Sequence, residues 1–336
     1  MNTLNRIGKV CLVLVAVLVS VSMCEAFLRW IDYNYSPLRI TTIKKYSEWR
    51  YFHSFEDRHF IYDPYLLWRP RKAAPFNSQG YRGSEITASK TPASIRIFAI
   101  GDSNTLGWYG EKDANWPMYL QEILREQDDR FTVVNAGVSG YSSFQGLRRL
   151  KEALPFQPDM VLISFGANDA MRVTVSDAEF ASRKIRSLKL DRMLLKLRTG
   201  QLLLSFSDKG FSREKQGLVP RVSLQEYREN LNEIIKLSQE RNIKVVLLTR
   251  PFRGESPNEW WWTNFASAYN SAVMQVAESK QVPVIDIYAY FKGKEEYFID
   301  ESHFTEEGYR VMARIIFENV GRLLGVRKVA AARAAR

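Results

Sequence analysis

The chain has 336 residues, enough for one sizeable domain with extensions. Its apolar fraction of 46% and charged fraction of 25% exclude a disordered or collagen-like chain. It carries 48 basic against 37 acidic residues, a formal charge of +11, which suits an anionic surface. No helix-turn-helix or metal-finger pattern accompanies that charge, so nucleic acid is not an expected partner. The only cysteines, Cys11 and Cys24, lie in the first apolar segment. This excludes a disulfide framework, a cysteine nucleophile or a thiolate zinc site in the remainder. The three histidines, His53, His59 and His303, confine any imidazole chemistry to three positions.

Residues 1–29 read as a membrane signal. Arg6 and Lys9 precede an unbroken apolar run from Val10 to Cys24. At about 1.5 Å per residue that run alone is short for a hydrocarbon core of about 30 Å. Ile7 to Leu28 suffices if Lys9 snorkels and Glu25 sits at the far interface. A cleaved secretory signal and an uncleaved anchor both fit. The length of the run and the poor cleavage sites around Met23 and Cys24 favour the anchor. Basic residues ahead of the span place the N-terminus in the cytoplasm and the bulk outside.

Residues 30–93 form a lead-in of aromatics, turns and prolines without a long periodic helix. From Ser94 the pattern changes to short apolar runs alternating with amphipathic stretches. The expected strands are 94–101, 131–138, 160–166, 244–251 and 282–288. The expected helices are Asn115 to Glu126, Ser143 to Ala153, Ser223 to Arg241, Trp262 to Ser279 and Thr305 to Leu324. Apolar runs with little alternation, separated by helices, predict a parallel sheet covered on both faces. The result is a three-layer α/β domain over 94–325. The connection 170–221 is too long for a plain loop and reads as an insertion with its own short helices. A basic tail, 326–336, follows.

In an open parallel sheet, ligands bind at the carboxyl ends of the strands. The first expected strand ends in Gly101-Asp102-Ser103-Asn104, the second in "NAGVSGYSS" (135–143) and the third in "GAND" (166–169). "IDESHF" places Asp300 three residues before His303, just ahead of the last helix. Taken singly, Ser103 is a helix cap, Asn168 a turn residue and His303 a helix-entry residue. Together they form a set. A serine hydroxyl needs a base, an imidazole base needs a carboxylate, and acyl transfer needs donors for an oxyanion. Ser103, His303 and Asp300 supply the first three. The backbone N–H groups of Ser103 and Gly137 and the amide of Asn168 suit the oxyanion hole. No metal or organic cofactor is required. Trp260, Trp261 and Trp262, in the segment after the fourth strand, suit a sugar face or an acyl pocket, or else pack into the domain. Arg250 and Arg253 suit an anionic glycan, or else are solvated.

These four blocks resemble those of the SGNH, or GDSL, hydrolase superfamily. "GDSN" carries Ser103, "NAGVSG" carries Gly137, "GAND" carries Asn168 and "DESH" carries Asp300 and His303. The lead-in, through "YDPYLLWRP" and "NSQGYRG", is similar to that of membrane-anchored bacterial members. The resemblance implies a flavodoxin-like α/β/α sandwich with strand order 2-1-3-4-5. It also implies a serine esterase working through an acyl-enzyme. The location and the aromatic run 260–262 together point to an O-acyl, chiefly O-acetyl, ester on an extracytoplasmic glycan as substrate. An O-acyltransferase with the same triad and a non-catalytic glycan-binding protein are the alternatives. The implied location is the bacterial inner membrane, with the catalytic domain periplasmic.

Overall fold

The computed structural model describes residues 2–31, 33, 59–63, 66–107, 114–173, 176–185, 196–207, 219–253 and 260–326. The chain forms two compact units, Met1–Arg71 with Glu179–Gly217, and Lys72–Ala178 with Leu218–Arg336.

In the first unit, helix α1 (Asn2–Trp30) includes a 23-residue apolar stretch, Gly8–Trp30, whose side chains are largely exposed. At about 1.5 Å per residue this stretch is about 35 Å long, enough to cross a hydrocarbon core of about 30 Å. Strands β1 (Phe60–Asp63) and β2 (Leu67–Pro70) pair antiparallel. In helix Arg198–Ser207, the first-turn N–H of Thr199 donates to the Glu25 carboxylate of α1 at 2.9 Å.

The second unit is built on five strands: β3 (Ile95–Gly101), β4 (Phe131–Asn135), β5 (Met160–Ser164), β6 (Lys244–Leu248) and β7 (Val284–Ile285). Their order is β4-β3-β5-β6-β7 and every pairing is parallel. This is the expected 2-1-3-4-5. Strand β5 is buried at every residue and β3 at all but its first, which follows from apolar runs covered by helices on both faces.

Helix α2 (Ser103–Leu106) follows β3 directly, and α3 (Trp116–Gln127) follows it. Next come α4 (Ser143–Ala153), α5 (Leu224–Gln239), α6 (Trp260–Lys280) and α7 (Glu306–Leu323). Trp116, Leu120 and Leu124 of α3 and Met312, Ile316 and Val320 of α7 pack with Ile97, Ala99, Met160 and Leu162 of the sheet. The alternate strand residues Phe98, Ile100, Val161 and Ile163 are buried on the opposite face, as the two-residue period requires.

Two local features differ from expectation. The fifth strand, expected over 282–288, is confined to Val284–Ile285. Asp286 ends it by accepting the Ala289 N–H and capping a short helix, Ile287–Phe291. Residues 72–93, read as lead-in, belong to this unit. Tyr81 is buried there edge-on to Phe98 of β3, with ring centroids 5.4 Å apart. The insertion is rooted by a two-stranded pair, Arg172–Val173 with Val219–Pro220. The insertion's centre, 186–195, and the tail beyond 326 lie outside the described residues.

Candidate active site

The turn after β3 presents Ser103 through its neighbours. The Asp102 carboxylate accepts the Asn104 N–H at 2.9 Å and caps α2. Gly107, at φ 77°, closes that helix in the left-handed region that glycine adopts without a Cβ penalty. Arg82 donates to the carbonyls of Leu106 and Gly107 at 2.8 and 2.7 Å, satisfying the helix end.

The loop before α7 brings His303 to Ser103. Thr305 caps α7 by accepting the Gly308 N–H at 3.1 Å, so the imidazole lies just outside the helix. Nε2 of His303 is 2.8 Å from Ser103 Oγ, across 200 residues of sequence. Its Nδ1 lies 2.9 and 2.8 Å from the two Asp300 oxygens. An ionised carboxylate only accepts, so Nδ1 carries the proton and the Nε2 lone pair faces the serine hydroxyl. Asp300 is held in turn by the N–H groups of Ser302 and His303, at 2.9 and 2.8 Å. Burial by itself would raise the Asp300 carboxyl, but its hydrogen bonds to His303 and the neighbouring N–H groups outweigh that and hold it below the usual carboxylate value. Ser103 and His303 are both buried.

The two loops are tied together by a residue expected to meet glycan or solvent. Arg250, just after β6, is only 2% exposed. Its Nε donates to Asp102 at 2.9 Å, and its Nη1 donates to the carbonyls of Pro251 and Ser302 at 2.7 and 2.9 Å. Asn104 Nδ2 donates to the same Ser302 carbonyl at 3.0 Å. The Arg250 guanidinium is therefore an internal brace between the serine turn and the histidine loop. Arg253 stands nearby, its N–H on the Glu301 carbonyl at 2.7 Å, and its half-exposed side chain pairs with Glu295 at 2.9 Å. The side chains of Trp260, Trp261 and Trp262 lie outside the described residues, although their backbone opens α6.

The loop after β4 corrects one expectation. Gly137 does not present its N–H to Ser103. That N–H donates to Asn135 Oδ1 at 3.0 Å, and a Cβ there would stand 2.4 Å from the Leu106 nitrogen. Gly137 is a close-approach glycine that lets the loop lie against α2. Three residues on, the Tyr141 N–H donates to the Val138 carbonyl at 3.2 Å, closing a turn with Gly140 at its third position, φ 72°. Among the described residues the Gly140 N–H has no partner, and neither does that of Ser103. Asn168, half-buried at the end of β5, donates one amide hydrogen to the Tyr141 carbonyl at 3.0 Å, and among the described residues its second has no partner. Asn135 precedes Gly137 by two residues, the spacing at which an asparagine side chain takes a backbone N–H. That spacing is the sequence signal that separates the two glycines.

Asp169 anchors the same region. Its two oxygens accept the N–H groups of Ser143 and Gly166, at 2.8 and 3.0 Å. Full burial pushes its carboxyl up to about 7, against the lowering pull of Ser143 and of the Arg221 charge. A polarised serine, an oriented imidazole and unengaged N–H donors can together accept an acyl group and hold an oxyanion.

The model of the GDSL-like Lipase/Acylhydrolase family matches residues 99–311. Among curated proteins, an arylesterase from Vibrio mimicus is 36% identical over 86 residues, covering 25% of this chain and 43% of that protein. The uncharacterized lipoprotein YqeF from Bacillus subtilis (strain 168) is 24% identical over 260 residues, covering 67% of this chain and 87% of the relative. The chain spans less than half the length of relatives such as the arylesterase. Among solved structures, a lipase/acylhydrolase from Enterococcus faecalis is 24% identical with a TM-score of 0.47, covering 68% of this chain and 96% of that one.

Proposed function

The chain belongs to the GDSL-like Lipase/Acylhydrolase family, and from that premise we propose that it is a serine esterase cleaving an O-acyl, chiefly O-acetyl, ester through an acyl-enzyme on Ser103. The observation that carries this reading is the 2.8 Å approach of His303 Nε2 to Ser103 Oγ, with Asp300 on the opposite ring nitrogen.

Ser103 Oγ attacks the ester carbonyl carbon while its proton passes to His303 Nε2. The carbonyl oxygen becomes an oxyanion, held by the N–H groups of Ser103 and Gly140 and the amide of Asn168. The bond from carbon to the leaving alcohol breaks, and His303 returns its proton to that alcohol. Water then attacks the acyl-enzyme, gives a proton to His303 and releases the acid, and the proton goes back to Ser103. Asp300 holds the imidazole in the tautomer this cycle needs.

For the substrate, the tryptophan run 260–262 and Arg253, both following β6, support an acylated glycan. The exposed apolar length of α1 supports a single-pass anchor in a bacterial cytoplasmic membrane, with the second unit on the extracytoplasmic side. Arg6 and Lys9 ahead of the span set that orientation. The lipoprotein relative fits the same placement.

The test is active-site labelling of the full chain in detergent with a fluorophosphonate, alongside turnover of an aryl acetate and acetate release from an acetylated polysaccharide. The wild type labels and turns over, and Ser103→Ala does neither. An unlabelled wild type would overturn the reading. Labelling without acetate release from any polysaccharide would overturn the glycan assignment alone.

A further inference from the structure

The insertion returns to the second unit at its two roots, and there it meets the oxyanion loop. The Arg221 N–H donates to the Met171 carbonyl and the Asp177 N–H to the Arg221 carbonyl, both at 2.8 Å. The side chains of these two root residues pair in the interior. Arg221 Nε and Nη2 reach the two Asp177 oxygens at 3.1 and 2.9 Å, with the side chains 2% and 8% exposed. The remaining terminal nitrogen, Nη1, donates to the carbonyl of Gly140 at 2.8 Å. Asp177 also accepts the Ser142 hydroxyl at 2.6 Å, two residues past that glycine.

A glycine at φ 72° does not hold its own peptide planes, because no Cβ restricts either dihedral. On the N-terminal side of Gly140, Val138 anchors the loop to the Gly101 carbonyl at 3.1 Å. On the C-terminal side the Tyr141 N–H returns to the Val138 carbonyl at 3.2 Å, Arg221 holds the Gly140 carbonyl and Asn168 holds the Tyr141 carbonyl. A buried guanidinium with three nitrogens engaged in a fixed fork is a rigid holder.

We propose that Arg221, oriented by Asp177, is a positioning residue of the reaction: it fixes the peptide plane after Gly140, the Val138 bonds to Gly101 and Tyr141 fix the chain before it, and the turn held at both ends keeps the Gly140 N–H aimed at the developing oxyanion. The assignment rests on the esterase reading given above. It makes the roots of the 170–221 insertion part of the catalytic scaffold.

The test compares Arg221→Lys and Asp177→Asn with the wild type in full-length protein. The readouts are kcat and KM on an aryl acetate, the fluorophosphonate labelling rate and the thermal midpoint. A lysine keeps the pairing with Asp177 but lacks the fork that reaches Gly140 as well. Arg221→Lys should lower kcat about 10–100-fold, with KM within about twofold and labelling slowed in parallel, as expected when support is lost for the transition state alone. Asp177→Asn should move kcat in the same direction. It carries the test if the lysine variant does not fold. Asn230→Ala removes a 3.0 Å bond to Ser143 Oγ at the start of α4 without touching Gly140, and should leave kcat unchanged. A lower thermal midpoint with wild-type kcat in the folded variants would reduce Arg221 and Asp177 to structural residues and overturn the proposal. A wild type that neither labels nor turns over would overturn the esterase reading and this assignment with it.

Discussion

At Asp102 burial leaves a carboxylate next to one cation, the Arg250 guanidinium 2.9 Å away, and both side chains are almost wholly excluded from solvent. A buried pair of this kind adds little net stability over an apolar substitute, but breaking it strands a charge. Arg250→Met should therefore cost about 3–5 kcal/mol in a denaturant melt. The double variant Asp102→Leu with Arg250→Met should recover part of that loss, and strict additivity would show that the two do not interact. The proposed catalytic set is governed at the same scale. Asn168→Ala leaves the fold's core untouched and should lower kcat about 10²–10³-fold on an aryl ester, the usual cost of one oxyanion donor. An Asn168→Ala enzyme with wild-type kcat would remove that side chain from the hole.

Elements meet the site at their ends, and α2 shows how tightly. Its four residues sit between the β3 turn and the loop after β4, where Asn135 Nδ2 donates to the Thr105 carbonyl at 2.9 Å. Gly137 lies flat against this helix. In Gly137→Ala the new Cβ would meet backbone at 2.4 and 2.8 Å, which no rotamer change relieves. The expected outcome is a loss of about 1–3 kcal/mol, with kcat reduced because α2 carries Ser103. Unchanged melting and turnover would show that the loop yields without cost. The strand runs and the five long helices of the second unit were legible in the sequence to within a few residues, because apolar runs and 3.6-residue periods report local structure directly. The fifth strand was not. Its shortening depends on Asp286 capping a helix, and the apolar pattern "VPVIDIY" carries no sign of that choice.

For the molecule as a whole, protonation of Asp169 gives stability a particular slope. An unfolded aspartate titrates near about 3.9, while burial lifts Asp169 to about 7 in the folded state. Between those values the folded protein keeps a proton that the unfolded chain releases. Stability should therefore fall as pH rises from about 4 to about 7 and level off above. Asp300 has the opposite sign, since its carboxyl is lowered, so its contribution is fully present above about pH 4 and adds no slope in that window. Urea melts of wild type and Asp169→Asn at successive pH values check this; an equal slope in both would assign the effect elsewhere. The exposed apolar helix α1 sets the second expectation at this scale. The full chain expressed in bacteria should pellet with membranes, resist alkaline carbonate and retain its own N-terminus. Recovery in the soluble fraction, or an N-terminus beginning near Ala26, would replace the anchor with a cleaved signal.

Local chemistry marks Ser103, Asn168, Asp300 and His303 as candidates in the sequence, and the fold brings Ser103, His303 and Asp300 within hydrogen-bond reach. Ser103 and Asn168 stand at the ends of apolar runs, and Asp300 and His303 share a short loop just ahead of the last helix. Asn135 likewise sits two residues before Gly137, a local sign that the Gly137 N–H is engaged. The partners of Arg250 and Arg221 were not readable. Asp102 lies 148 residues from Arg250, and Gly140 lies 81 from Arg221. An arginine in a sequence looks the same whether it meets solvent, a glycan or a buried carboxylate. Burial decides among these, because only an excluded guanidinium must find its acceptors inside, and burial exists only once the strands have been ordered and the loops closed over them.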